Sequence, residues 1–119
     1  PSCMEPLIEA LGAEVHPWSM GAKCCGAGLM TTKKEVAIEL TSALLKAAKG
    51  ADCIATVCPM CQMNLDSYQD KASRMLGQAL NVPVLFLPQL MGLAFGLPEE
   101  RLKLRRLVTS PRPVLAKIA

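Results

Sequence analysis

The sequence predicts an α/β fold, a mainly parallel sheet flanked by helices in three layers, and three observations carry that expectation. Apolar residues recur at helical spacing over two long stretches, Thr32 to Lys49 and Pro59 to about Leu80. Two short apolar runs, Cys53 to Cys58 and Val82 to Leu87, have the continuous character of strands buried on both faces. The resulting order of strand, helix, strand, helix, strand implies crossover connections and hence parallel pairing.

Taken in order, Pro6 to Leu11 reads as a short helix closed by Gly12, a residue suited to the left-handed position after a helix. Ala13 to Trp18 reads as a short strand, which Pro17 confines to an edge or an end. Thr32 and Glu35 have the spacing of a capping box, so the long helix is expected to start there. Its inner stripe would be Val36, Leu40, Ala43, Leu44 and Ala47, with Lys33, Glu39, Ser42, Lys46 and Lys49 facing away. Gly50 closes it. Pro59 fits the first turn of the next helix, where its missing N–H costs nothing. That helix would place Cys61, Leu65, Tyr68, Ala72, Leu76 and Ala79 on one stripe. A short helix is expected over Gln89 to Phe95, and the tail beyond Pro111 is too rich in proline for a long element.

A chain of 119 residues is expected to form one domain, with hydrophobic residues at 51% and aromatics at only 3%, so its core must be aliphatic. No apolar stretch approaches the ~18 residues of a membrane span. The first residues, Pro1-Ser2-Cys3-Met4-Glu5-Pro6, lack a basic region and an apolar run, so a soluble, cytoplasmic protein is expected. The net charge of +3 is small, and Arg101, Lys103, Arg105 and Arg106 read as a solvated helix face. Too few aromatics are present for base stacking, which argues against nucleic-acid binding. Six cysteines in such a setting read as metal ligands or redox thiols rather than disulfide staples.

Cys58 and Cys61 fall where a strand meets a helix. Cys58 would be the N-cap and Cys61 the third residue of the first turn, where free N–H groups and the helix dipole favour thiolate. The same edge of a parallel sheet is where α/β proteins usually carry their sites. Cys24 and Cys25 are adjacent, so their side chains diverge and suit a polynuclear cluster better than a single ion. Gly26 and Gly28 allow close backbone approach and offer N–H groups, and Lys23 adds a positive charge beside an anionic cluster. Among the remaining candidates, Cys53 reads as a small core hydrophobe, His16 as a strand-end residue that could reach the thiols, and Met60, Met63 and Met75 as core or gap fillers at helical spacing. Met60, inside the C-x-x-C, would shape access to the sulfurs.

Cys24-Cys25-Gly26, then a helix, a strand and Cys58-Pro59-Met60-Cys61, with 32 residues between Cys25 and Cys58, resembles the second half of the CCG motif. That motif marks the B-type subunit of heterodisulfide reductase and its relatives, including iron–sulfur subunits of glycolate and lactate oxidases. The likeness runs from Leu7-Ile8-Glu9-Ala10-Leu11-Gly12-Ala13-Glu14 through Leu90-Met91-Gly92-Leu93-Ala94-Phe95-Gly96-Leu97 to the end of the chain, and is nearest to the C-terminal half of the heterodisulfide reductase protein. In the family each such domain holds a noncubane [4Fe–4S] cluster through five cysteines and splits a substrate disulfide by one-electron steps. The resemblance implies Cys24, Cys25, Cys58 and Cys61 as cluster ligands and Gly26 as the close-approach residue. It implies an oxidoreductase acting on the disulfide of coenzyme M and coenzyme B or an analogue, supplied by iron–sulfur and flavin-containing subunits.

The family motif opens with a further cysteine on a strand leading into the domain. Cys3, twenty residues before Cys24, is too near to be that ligand and is expected in a loop or helix-start position. The chain is therefore expected to be one CCG-type domain over residues 1–119 lacking that first strand. As an isolated piece it would be inactive, would hold no cluster or an adventitious zinc, and would pair with a second copy across the open sheet edge. Two other classes compete: a thioredoxin-like thiol oxidoreductase using Cys58 and Cys61, and a zinc-holding interaction module built on the four thiolates.

Overall fold

A computed structural model describes residues 3–118. The α/β class holds, on a smaller sheet than expected. Two parallel strands, β1 (Ile54–Thr56) and β2 (Val84–Phe86), pair in the register Ile54 to Val84, Ala55 to Leu85 and Thr56 to Phe86. Neighbouring residues of a strand point to opposite faces, and Val84 and Leu85 fall into separate cores. Val84 packs with Leu44, Leu45, Ile54, Leu65, Ala72 and Leu80, and Leu85 packs with Leu93, Leu104 and Val114. The sheet is thus the middle of three layers. On one side lie α1 (Lys34–Ala47), α2 (Pro59–Ser67) and α3 (Gln69–Leu76); on the other lie α4 (Leu87–Ala94) and α5 (Arg112–Ile118). The buried side chains are aliphatic, as the composition requires.

Three expected boundaries move. No third strand forms among the described residues: 13–18, where an edge strand was expected, is irregular, Pro17 having no N–H to give a ladder. The helix expected from Pro59 to Leu80 is two helices, broken at Tyr68 (φ −108°, ψ 17°) and ended by left-handed Gly77. The long helix starts at Lys34 rather than Thr32, because Thr32 and Lys33 donate their N–H groups to the Leu29 carbonyl in a preceding turn, so the capping box is not used.

The buried stripe of α1 is also rotated from the expected one. Ala37, Ile38, Thr41, Ser42, Leu44 and Leu45 are buried, while Val36 and Leu40 are about two-fifths exposed. Two polar residues went inward because each has a partner there: the Thr41 hydroxyl donates to the Cys25 carbonyl, and the Ser42 hydroxyl contacts the Met75 sulfur. A buried hydroxyl with a partner costs little, whereas an unpartnered one is expensive.

Side-chain hydrogen bonds then fix the sheet's approach. The Gln69 carboxamide accepts from the Val82 N–H (2.9 Å) and donates to the Val82 carbonyl, steering the chain into β2. At the far end of β2, the Gln89 Oε1 accepts the Phe86 N–H at 2.9 Å and caps α4. Buried Asp66 accepts the N–H groups of Val108 and Thr109, each at 2.8 Å, and so fastens the C-terminal segment to α2.

Among the described residues, no strand lies beside the outer edge of β1. A groove of about 840 Å³ runs along it, lined by Ile8, His16, Trp18, Cys53 and Ala55 among others. Residues 4–10, ahead of it, form a short helix with no buried side chain, and Cys3 caps its start, in agreement with the expected helix-start position. Among the described residues, no helix is long and apolar enough to cross a membrane. In the basic C-terminal cluster Arg105 pairs with Glu100 at 3.3 Å, both well exposed, as a solvated face would.

Candidate thiol site

β1 ends at Thr56, and its hydroxyl accepts the Cys58 N–H at 3.3 Å, which turns the chain out of the strand. Cys58 keeps an extended backbone (φ −88°, ψ 120°) and is the N-cap of α2, with Pro59 at its first position. The Cys58 carbonyl accepts the Gln62 N–H at 3.0 Å, the first bond of the helix. Cys61 therefore lies in the first turn, where backbone N–H groups have no carbonyl partner within the helix.

These N–H groups act on the Cys58 sulfur. Its thiol is lowered below the ordinary value of 9.0, first by the Cys61 backbone N–H, then by the Cys61 thiol and the Met60 N–H. Cys61 goes the other way and is pushed up to about 12. Burial is the largest cause, followed by its hydrogen-bonding relations with the Cys25 and Cys58 thiols and their charge. Three of the four predicted cysteines thus meet at one helix start, with Cys61 between the other two.

Cys25 is brought there from the preceding loop. Its carbonyl accepts from the Thr41 hydroxyl and the Asn64 carboxamide, both at 3.1 Å, and the same carboxamide donates to Thr41 at 2.7 Å. Gly26 follows with φ +80°, a conformation that costs a residue with a Cβ. A Cβ there would also lie 2.9 Å from Leu40 Cδ1 and 3.2 Å from the Ala37 Cα, so the close approach that Gly26 permits is to the backbone of α1. Cys24 stands apart. Its residue is exposed, and its sulfur accepts the Gly26 N–H at 3.4 Å.

The weaker candidates are placed as follows. Cys53 is half-buried against the second core, where burial and then Asp52 push its thiol up to about 11, the behaviour of a packed, unreactive cysteine. His16 is exposed beside the β1 groove, whose lining contains none of the four cysteines. Met60, Met63 and Met75 are not core gap fillers: each is about half exposed. Met60, with exposed Val57, flanks Cys58 in the chain. Sequence reasoning missed Thr41 and Asn64; the one available signal was a pair of uncharged polar residues inside helical stripes otherwise suited to apolar ones.

All four cysteines fall within residues 1–66, which match the CCG cysteine-rich domain. The chain belongs to that family. Among proteins it is similar to, the membrane anchor subunit of 8-methylmenaquinol:fumarate reductase from Wolinella succinogenes is 42% identical over 106 residues, 87% of this chain and 37% of that protein. The B-type subunit of the ferredoxin/F420H2-dependent CoB–CoM heterodisulfide reductase from Methanosarcina acetivorans is 32% identical over 122 residues, 99% of this chain and 41% of the relative. The corresponding subunit of the ferredoxin:CoB–CoM enzyme from Methanosarcina mazei is 30% identical, with the same shares covered. The chain spans about two-fifths of the length of these relatives.

Proposed function

We propose that this chain is one CCG-type unit of an iron–sulfur redox subunit, and that Cys24, Cys25, Cys58 and Cys61 are its cluster ligands. The observation that supports this most is the meeting of Cys25, Cys58 and Cys61 at the N-terminus of α2. The donor set is all sulfur, soft ligands that suit iron–sulfur chemistry. Among the described residues no three of His, Cys, Asp and Glu are set to grip a single metal ion.

A bound [4Fe–4S] group of the noncubane kind would supply one-electron chemistry for cleaving a disulfide of the coenzyme M–coenzyme B type. The chain's own part is to hold the sulfurs. The first turn of α2 stabilises Cys58 as thiolate, and the loop around Gly26 holds Cys25 against α1 and α2. Exposed Cys24 and Met60 leave that side open to a disulfide or to a partner carrying iron–sulfur and flavin groups. The unpaired edge of β1 supports association with a second copy, which light scattering would detect.

A second reading is favoured by the 42% identity to a subunit of a quinol-linked reductase. There the same site would pass electrons between a quinol and partner subunits without meeting a disulfide. Purifying the complex that contains this chain and assaying it with the coenzyme M–coenzyme B disulfide and with a menaquinol separates the two. Disulfide-dependent oxidation of a reduced donor supports the first, and quinol oxidation with no response to the disulfide supports the second.

A further inference from the structure

The Cys24–Cys25 loop and α2 are far apart in the chain, yet a compact knot of hydrogen bonds ties them. Asn64 Nδ2 donates to the Cys25 carbonyl, 39 residues away, and to Thr41 Oγ1, while Thr41 Oγ1 donates to the same carbonyl. All three residues are almost fully buried: Thr41 at 0%, Asn64 at 1% and Cys25 at 2% exposure. Asn64 lies three residues after Cys61, so the two share one face of α2. Packing alone does not call for an amide here. Asn64 Oδ1 is buried with no partner, a cost that a leucine of similar volume would avoid.

We propose that Asn64, with Thr41, is a positioning residue that sets the separation of the Cys25 and Cys61 thiols. Holding the Cys25 carbonyl fixes the peptide plane that follows it and so the direction in which the Cys25 side chain leaves the backbone. On the other side of that peptide, Gly26 comes close enough to α1 that a Cβ there would lie 3.2 Å from the Ala37 Cα. Cys25 is therefore pinned from both sides, and the pin on the α2 side is anchored one turn beyond Cys61. The inference rests on the reading of Cys25 and Cys61 as parts of one redox site, but its test needs no cluster.

The whole chain, free of metal, would be equilibrated in a buffer of reduced and oxidised glutathione. Closing one internal disulfide takes two electrons and two protons from two thiols and turns one glutathione disulfide into two glutathiones. Cys61 can close with Cys25 or with Cys58. The second closure lies within one turn of α2 and does not involve the knot, so it is an internal reference. Tryptic cleavage after Lys23, Lys33, Lys49 and Lys71 places Cys25 and Cys61 on different peptides and keeps Cys58 with Cys61, and tandem mass spectrometry distinguishes Cys25 from Cys24.

The ratio of Cys25–Cys61 to Cys58–Cys61 disulfide is expected to fall about tenfold in Asn64→Leu and in Thr41→Val. Thr41→Ser keeps the hydroxyl and should stay within about twofold of the parent. An unchanged ratio in Asn64→Leu and Thr41→Val, with the fold confirmed by circular dichroism, would overturn the proposal. So would an equal loss of both disulfides, the mark of a general structural role. Should Asn64→Leu not fold, the comparison of Thr41→Val with Thr41→Ser decides alone. Failure of the parent chain to take up iron would bear on the proposed function and leave this ratio untouched.

Discussion

Cys58 and Cys61 share the first turn of α2, and that turn moves their thiols in opposite directions: Cys58 below its ordinary value of 9.0, Cys61 up to about 12. The cap residue receives N–H groups, while the residue inside the turn is desolvated and faces two other sulfurs. As pH rises, Cys58 becomes thiolate before an ordinary cysteine does, and Cys61 stays protonated well after. With metal removed, iodoacetamide should therefore modify Cys58 faster than Cys61 at neutral pH. Peptide mapping after brief exposure checks the order. Faster modification of Cys61 would contradict the assignment of the N–H groups to Cys58.

Gly26→Ala should destabilise the chain by about 1–3 kcal/mol, since the left-handed backbone and a crowded Cβ act together. Gly28→Ala is a fitting control, because a Cβ at Gly28 meets nothing within 4 Å. Urea midpoints of the two variants measure the difference. Equal midpoints would mean that the loop relaxes and that its approach to α1 is not tight.

Removing the Asp66 carboxylate should cost about 1–3 kcal/mol, because the N–H groups of Val108 and Thr109 lose a charged acceptor. In Asp66→Ala, hydrogen exchange should quicken at those two amides before it quickens in β1 or β2. Uniform loss of protection across the chain would show that the C-terminal segment is not separately tethered.

What could be seen from sequence was whatever depends on local pattern. The α/β class, the strand cores at Ile54–Thr56 and Val84–Phe86, and the place of Cys58 as an N-cap all follow from periodicity, Pro59 and the glycines. What could not be seen depends on partners distant in the chain. Ser42 looks like an outward residue, and Thr41 carries no signal of which face it takes, until Met75 and Cys25 arrive to receive their hydroxyls. Residues 13–18 alternate as a strand should, but a strand needs a neighbour, and none pairs with this segment among the described residues. At the site itself the C-x-x-C was legible because all its parts lie within one turn. The way Asn64 holds Cys25 was not.

The central claim, that these four cysteines hold an iron–sulfur cluster, is tested most directly by anaerobic reconstitution with iron and sulfide followed by counting both. In the complex that contains this chain, the account predicts uptake of both iron and sulfide with broad visible absorption, lowered in each of the Cys24→Ser, Cys25→Ser, Cys58→Ser and Cys61→Ser variants. Iron and sulfide uptake indifferent to all four substitutions would contradict it.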